Sequence, residues 1–188
     1  MKIRFPNWRT LLTAVMVVIT IAAATVVWQH LPTPTDTAGP FDVHGDAGNR
    51  TAGRNVAATV TGVRIARQVN FVRAAGIWVV VDTTLEAPRG TALPRSDLVV
   101  GPNTYTPTDV FFLGTLQSNV SPGINLRGSW VFDVAEALVQ NGATEPLTLR
   151  VWTGYETRWD SRLVIRVPTG DVARPDTVTL EGPLASAS

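Results

Sequence analysis

Apolar positions follow two different patterns along this chain of 188 residues. From Leu11 to Trp28 they form one run, LLTAVMVVITIAAATVVW, which no charged residue interrupts. Between Arg54 and Pro168 they alternate with polar residues, and turn residues separate the alternating stretches at short intervals. A long apolar run predicts a helix that can cross a bilayer, whereas short alternating stretches predict β-strands. The sequence therefore predicts one transmembrane helix followed by an all-β domain.

The apolar run has the length and the flanks of a membrane anchor. Its 18 residues would form a helix of about 27 Å, close to the roughly 30 Å hydrocarbon thickness of a bilayer. Trp8 and Trp28 flank the run at positions suited to the two membrane interfaces. Basic residues precede the run, and no charged residue follows it until Asp36. The positive-inside rule therefore predicts that segment 1–10 is cytoplasmic, that residues 11–31 form a single-pass anchor and that the remainder is extracytoplasmic. The basic residues are Lys2, Arg4 and Arg9.

A cleaved secretory signal is the alternative to an anchor. Ala22, Ala23 and Ala24 offer the small residues that a signal peptidase needs. However, the apolar residues continue beyond this site to Trp28, and the run is longer than the roughly 7 to 15 residues of a signal peptide. We therefore expect an uncleaved anchor, and both alternatives export the rest of the chain.

Segments rich in Pro, Gly, Thr and Asp border the alternating region. Residues 32–53 carry too few apolar side chains to offset their chain entropy, so they predict a flexible tether. Residues 169–188 contain two prolines and two glycines and predict a disordered tail, in which Val178 and Leu180 can add a short edge strand. The folded domain is therefore expected to span residues 54–168.

The alternating region predicts six or more short strands. In the stretch GIWVVVDTTLEA, Ile77 and Val79 share a face that we expect in the core, and Trp78 lies on the other face. Gly62 shifts the alternation of an earlier strand, as a β-bulge would. Strands of this number and length favour an immunoglobulin-like antiparallel β-sandwich, with a small closed barrel as the alternative. Because the chain has no cysteine, packing around Trp78 and Trp130 is expected to hold the sheets together.

Several strand sequences resemble a known family. The sequences are WVVVD at 78–82, Pro122-Gly123, RGSWVFDV at 127–134 and DSRLVI at 160–165. In these stretches the chain is similar to the actinobacterial exported or membrane-anchored immunoglobulin-like domains of unknown function, a group similar to the mycobacterial immunoprotective extracellular antigens. The resemblance implies an immunoglobulin-like fold and an envelope location, and it implies no known catalysis. Fifteen arginines against one lysine agree with the high-GC genome of such a source.

Composition and charge exclude several classes of function. A net charge of +1 lacks the basic excess of a nucleic-acid-binding protein. The absence of cysteine excludes disulfides and thiolate catalysis. His30 and His44 both lie outside the expected domain, which removes histidine-dependent hydrolysis and typical zinc sites from it. We therefore expect no enzyme activity, no cofactor and no metal.

The remaining candidates for chemistry are carboxylates. Carboxylates near strand ends can act as acid and base, but such residues are more often solubilising. A loop calcium site through Asp97, Asn103 and Asp109 fits no standard spacing, so we do not expect one. The acid-base candidates are Asp133, Glu136, Glu156 and Asp160.

Two groups of aromatic residues are candidates for binding. In WTGYETRW, aromatic residues surround a short turn and would form a platform for a sugar ring or an apolar partner if they point outward. The adjacent Phe111, Phe112 and Leu113 cannot all enter one face of a strand, so either Phe111 and Leu113 contact a partner or another element covers them. We expect the covering element. The candidate patch consists of Trp152, Tyr155, Arg158 and Trp159.

These observations favour a membrane-anchored extracytoplasmic module that binds another envelope or membrane protein and has no catalytic activity. The alternative is a domain that binds envelope glycan or lipid through the aromatic patch. Both functions follow from the expected anchor and β-domain, and they differ in the kind of partner.

Overall fold

A computed structural model of the chain describes residues 8–30, 39–140, 146–154, 160–168 and 172–187. The chain divides into two compact units, Met1–Gly39 and Pro40–Ser188. Of the described residues, those of the first unit form one helix, and the strands belong to the second unit.

The helix α1 spans Trp8–His30 and is apolar on all sides. Its segment Leu11–Gln29 is long and apolar enough to cross a membrane. Three threonine hydroxyls within α1 donate hydrogen bonds of 2.8–2.9 Å to the carbonyl oxygen four residues earlier, so the polar groups of these side chains are satisfied inside the helix. An N-terminal apolar helix is therefore present, and it is compatible with a membrane anchor or a signal sequence. The predicted flanking residues Lys2 and Arg4 lie outside the described residues, whereas Arg9, Trp8 and Trp28 belong to α1.

The second unit is an all-β structure. Two short 3-10 turns, Phe112–Gly114 and Glu136–Leu138, lie between strands. The strands are β1 (Phe41–Asp46), β2 (Thr51–Ala52), β3 (Ala57–Val69), β4 (Val72–Glu86), β5 (Pro94–Val100), β6 (Asn103–Tyr105), β7 (Ile124–Val134), β8 (Leu147–Thr153), β9 (Ser161–Val167), β10 (Thr177–Val178) and β11 (Leu184–Ala187).

The strands form two sheets that pack as a sandwich. The first sheet has the order β1-β9-β8-β5-β6, and the second has the order β10-β3-β4-β7-β11, with β2 paired to β3. Inward-facing residues of both sheets share one core, which includes Trp130 and Phe132 from β7 and Leu149 from β8. The predicted β-sandwich is confirmed. The prediction that it is antiparallel throughout is wrong at two edges, where β1 pairs with β9 and β10 pairs with β3 in parallel.

The alternation along β4 holds as predicted, with Ile77 and Val79 in the core between the sheets. The predicted bulge is also confirmed, because the β3–β4 register shifts between Val60 and Gly62. The prediction that Trp78 packs between the sheets is wrong. Because Trp78 alternates with the core residues, its side chain lies on the outer face of the second sheet, in a separate cluster.

This outer cluster is covered by two segments that run across the second sheet. Phe111 meets Trp78 edge to face, with ring centroids 5.4 Å apart. Val178 in β10 is buried there, and Leu180 packs against the same cluster. The prediction of a disordered tail is therefore wrong for residues 172–187, because the outer face of the sheet carries apolar side chains that need cover. The predicted short edge strand is confirmed for Val178.

The predicted tether is also wrong over residues 41–53. β1 pairs with β9, Val43 packs against the core, and Asp42 forms an ion pair of 2.8 Å with Arg162. The folded unit consequently contains a histidine, since His44 lies in β1. Residues 32–38 of the predicted tether lie outside the described residues.

Candidate binding cleft

The sandwich has a cleft of 710 Å³ beside β5 and β7, each of which is next to the outermost strand of its sheet, β6 in the first sheet and β11 in the second. This volume lies within the range of roughly 300 to 1,000 Å³ that is typical of ligand sites. The cleft reaches the interior, because Trp130 and Leu116 line it and also belong to the core. Its lining consists of residues 93–97, Thr106, Pro107, Asp109, Phe112, Leu116, Gln117, Trp130 and Trp152.

One wall of the cleft is an open strand edge. The amide of Gly154 donates to the carbonyl of Leu93, which marks this pair as hydrogen-bonded in the β5–β8 ladder. Because bonded positions alternate in antiparallel sheets, Arg95 and Asp97 direct their backbone groups toward β8, whereas Ser96 directs its own away from it. On that side β6 pairs with β5 only from Leu98 onward. Among the described strands, none pairs with the backbone of Ser96.

The opposite wall is the segment 106–117, which is fastened to the edge of β7. The amide of Thr108 donates to the carbonyl of Val131 at 2.8 Å, and the amide of Leu116 donates to that of Ser129 at 3.0 Å. The indole N–H of Trp130 donates to the carbonyl of Leu116 at 2.9 Å. These hydrogen bonds fix the segment against β7 and the core, so this wall of the cleft has a defined position.

The three adjacent apolar residues of this segment point in three directions. Phe111 is buried on the outer face of the second sheet, and Phe112 lines the cleft with 58% of its surface exposed. The expectation that another element covers Phe111 and Leu113 therefore holds for Phe111 and is wrong for Leu113, which is 89% exposed. The segment crosses the edge of β7, and its residues therefore divide between the two sides of that sheet.

Ser96 is a buried polar residue in the lining of the cleft. Its residue is only 5% exposed, and its hydroxyl has no hydrogen-bond partner among the described residues. It faces inward, as do Pro94 and Leu98, and it lines the cleft beside Trp130. A buried hydroxyl without a partner costs about 1–3 kcal/mol, so this group is available to a ligand that brings a donor or acceptor.

The charged residues at the cleft are not arranged for cation binding. Asp97, one of the three considered calcium ligands, forms two hydrogen bonds of 2.6 Å with the guanidinium of Arg150. Asn103 and Asp109 are exposed, one in β6 and one in the segment 106–117. Within the described part of the chain, no three metal-ligating side chains come together.

The predicted aromatic patch is represented here by one residue. Trp152 lies in β8 opposite Arg95 and lines the cleft with a partly exposed side chain. The other predicted members, Tyr155, Arg158 and Trp159, lie outside the described residues. The cleft therefore joins Trp152 to residues that the sequence pattern did not group with it, namely Phe112 and Trp130.

The candidate acid-base carboxylates have structural partners. Asp133 accepts hydrogen bonds from the amides of Ala75 and Gly76, at 3.0 and 2.9 Å. Glu136 pairs with Arg67 at 3.0 Å. Neither Asp133 nor Glu136 lines the cleft. Glu156 lies outside the described residues.

Asp160 is bound more extensively than the other candidates. Burial acts to raise its pKa, but hydrogen bonds from Asn55, from the amide of Ser161 and from Thr153, together with the charge of Arg54, outweigh burial. The pKa of Asp160 consequently lies below its ordinary value. A carboxyl held in the charged form is unsuited to act as a general acid near neutral pH.

Comparisons with known proteins return little. No family model matches the chain, and no curated protein matches it at a significant level. Among solved structures, an uncharacterised β-sandwich protein from Clostridium difficile 630 is similar, with 9% sequence identity and a TM-score of 0.45, over 68% of this chain and 95% of that chain.

Proposed function

We propose that the chain is a single-pass, membrane-anchored module whose extracytoplasmic β-sandwich binds another protein of the cell envelope and carries out no catalysis. The observation that carries this proposal is the cleft at the edge of β5, which combines an apolar interior with an unpartnered buried hydroxyl. Concave sites of this composition are typical of recognition sites. On this proposal the sandwich is of the immunoglobulin-like type and of actinobacterial origin, as the strand sequences suggest.

The anchor and its orientation are supported by α1. A helix of 23 residues is about 34 Å long, which is enough to span the hydrocarbon region of a bilayer. The hydroxyls of Thr13, Thr20 and Thr25 are bonded within the helix, as a lipid environment requires. Basic residues only on the N-terminal side of the run favour an extracytoplasmic sandwich.

The absence of catalysis is supported by the state of the carboxylates. Asp133 and Asp160 are each engaged by hydrogen bonds from the protein itself. Groups held in this way stabilise the fold, and neither one lines the cleft.

Site-specific photo-cross-linking in intact cells tests the proposed function. A photo-reactive amino acid replaces Phe112 at the rim of the cleft, and the control variant carries it in place of Phe71, which is 96% exposed in the turn between β3 and β4. We expect a discrete protein adduct from position 112 and none from position 71. Equal labelling from both positions, or no protein adduct from position 112, would contradict a protein partner at this cleft.

Binding of envelope glycan or lipid is a second candidate, favoured by one observation. Trp152 and Phe112 both line the cleft and are both partly exposed, and such faces stack on sugar rings or contact acyl chains. If this candidate holds, purified cell-wall glycan or envelope lipid changes the tryptophan fluorescence of the protein, and Trp152→Ala weakens that binding at least tenfold. Unchanged fluorescence with both materials would remove it.

A further inference from the structure

We propose that the cleft accepts an extended peptide segment of a partner protein, which adds to the open edge of β5 as a short strand and places one side chain between the sheets. This inference rests on the proposed function and names how the partner is recognised.

The backbone of β5 supplies the first part of the site. Ser96 directs its N–H and C=O away from β8, and the described strand β6 stops short of it, beginning its pairing at Leu98. The chain leaves the sheet after Tyr105, so the position beside Ser96 is the position that a continued β6 would occupy. A peptide strand can take that position through main-chain hydrogen bonds.

The open stretch of this edge is short, because Ala92 already pairs with Val120 through two backbone hydrogen bonds, and Pro94 limits the added strand further. It occupies the same alternating set as Ser96, so its carbonyl faces the open edge, and it has no N–H to offer there. Proline at an open edge is a common protection against indiscriminate strand pairing. The edge therefore offers one donor and two acceptors, which suits a contact of two or three peptide residues.

The side-chain pocket supplies the second part of the site. Successive residues of a strand face opposite sides, so one residue of the added strand would point inward, toward Leu116 and Trp130. The hydroxyl of Ser96 faces the same space without a partner. The favoured inward side chain is therefore largely apolar and carries one hydrogen-bonding group at its end.

Selection from a random heptapeptide library tests this inference, with the full chain in detergent micelles as the target. We expect selected peptides to share one inward position and to bind wild type and the Phe71→Ala control equally. Ser96→Pro is expected to weaken binding at least tenfold, because it removes the edge N–H without removing a bond to β8. Ser96→Ala, which keeps the backbone, is expected to weaken binding about threefold to tenfold, as loss of one hydrogen bond does.

A second measurement uses the wild-type protein and therefore does not depend on the folding of any variant. The amide nitrogens of a selected peptide are methylated one at a time. Strand addition predicts that methylation at alternate positions abolishes binding and that methylation at the positions between them leaves it within threefold, since only alternate amides face the edge. Equal sensitivity at neighbouring amides, or a library that yields no peptide binder, would overturn the inference.

The outcome separates this inference from the proposed function. If cross-linking at position 112 yields a protein adduct that persists in Ser96→Pro, the protein partner stands and strand addition is wrong. If cross-linking yields no protein and cell-wall glycan binds the cleft instead, the proposed function itself is wrong.

Discussion

Two buried hydroxyls lack a hydrogen-bond partner among the described residues, and they differ in what surrounds them. Thr83 on β4 is fully buried in the sandwich and lines no described cleft, whereas Ser96 lines the cleft beside β5. The hydroxyl of Thr83 is therefore a cost to stability with no access to a ligand, while the same cost at Ser96 can be recovered by binding.

Thr83→Val should stabilise the protein. Valine keeps the shape of threonine and removes an unpartnered buried hydroxyl, so we expect a gain of about 1 kcal/mol and a rise in Tm of about 3 °C. Thermal and urea unfolding in detergent measure the change. Thr84→Val, at the neighbouring half-buried position on the other face of β4, is the matched control and should change stability little. A loss of stability in Thr83→Val would show that the hydroxyl has a partner.

Asp160 makes stability depend on acid pH. Because its pKa is lowered in the folded protein from the ordinary value of 3.8, the charged form contributes stability above that value. The contribution is lost as the pH falls below the ordinary value and through the lower folded pKa. Asp160→Asn should therefore be less stable than wild type at pH 7, and the difference should shrink in strong acid. Unfolding measured from pH 7 to pH 2 checks this, and Asp109→Asn, an exposed carboxylate at the cleft, controls for the change in charge.

At the scale of elements, the proposed orientation of α1 in the membrane would place the sandwich outside the cytoplasm. Alkaline phosphatase fused after Ser188 should be active, because the enzyme folds only outside the cytoplasm and the basic residues precede the apolar run. Replacing Lys2, Arg4 and Arg9 together by glutamate should lower the activity severalfold. An inactive fusion to the wild-type chain would contradict the proposed orientation.

The start of β4 depends on a glycine that permits close approach to β7. A methyl group on Gly76 would overlap the carbonyl oxygen of Val134, and the amide of Gly76 also donates to Asp133. Gly76→Ala should therefore destabilise the protein by about 2 kcal/mol, through overpacking at the β4–β7 contact. Gly90→Ala, where an added methyl meets nothing within 4 Å, is the matched control. Equal stability of the two variants in urea unfolding would contradict the close contact.

The strands that have one buried and one outer face could be predicted from the local alternation of apolar and polar residues. The helix could be predicted from its apolar run. β1 could not be predicted in this way, because few of its side chains are buried and because its position depends on pairing with β9. The two strands are far apart in sequence: the hydrogen bond between Asp42 and Arg162 joins residues 120 positions apart. The same reason explains the missed order in residues 172–187, whose apolar side chains meet a surface on the second sheet. The position of Trp78 followed from its alternation, and the expectation that it joins the sheets overlooked that pattern.

The candidate site was harder to predict than the fold. Trp152 could be selected as an aromatic residue in an alternating strand. The cleft, however, depends on where β6 ends relative to β5, and on the attachment of the segment 106–117 to β7. Both are contacts between distant parts of the chain. The only local signal for the open edge is Pro94 within a strand, because proline is confined to strand positions whose N–H is not paired.

At the scale of the whole folded unit, the buried apolar side chains of the described residues form two clusters rather than one. The larger lies between the sheets, and the smaller lies on the outer face of the second sheet, around Trp78, Phe111 and Val178. The smaller cluster is covered by the segment 172–187, which pairs with the second sheet through β10, through β11 and through a bridge between Ala173 and Arg64 of β3. This arrangement predicts that the C-terminal segment can be removed without removing the main core.

A chain that ends at Asp171 should keep its β-sheet content but lose about 3 kcal/mol of stability, since Val178 and Leu180 no longer cover the outer face. The uncovered apolar surface should increase the binding of a hydrophobic dye severalfold. A chain that ends at Gly182 is the control: it lacks β11 but keeps Val178 and Leu180, and it should bind the dye much less. If both truncated chains bind the dye equally, the segment 172–187 is held on the second sheet by the pairing of β11 and not by the contacts of Val178 and Leu180 with the outer cluster. If the shorter chain unfolds entirely, the two clusters form one cooperative core and the division between them is wrong.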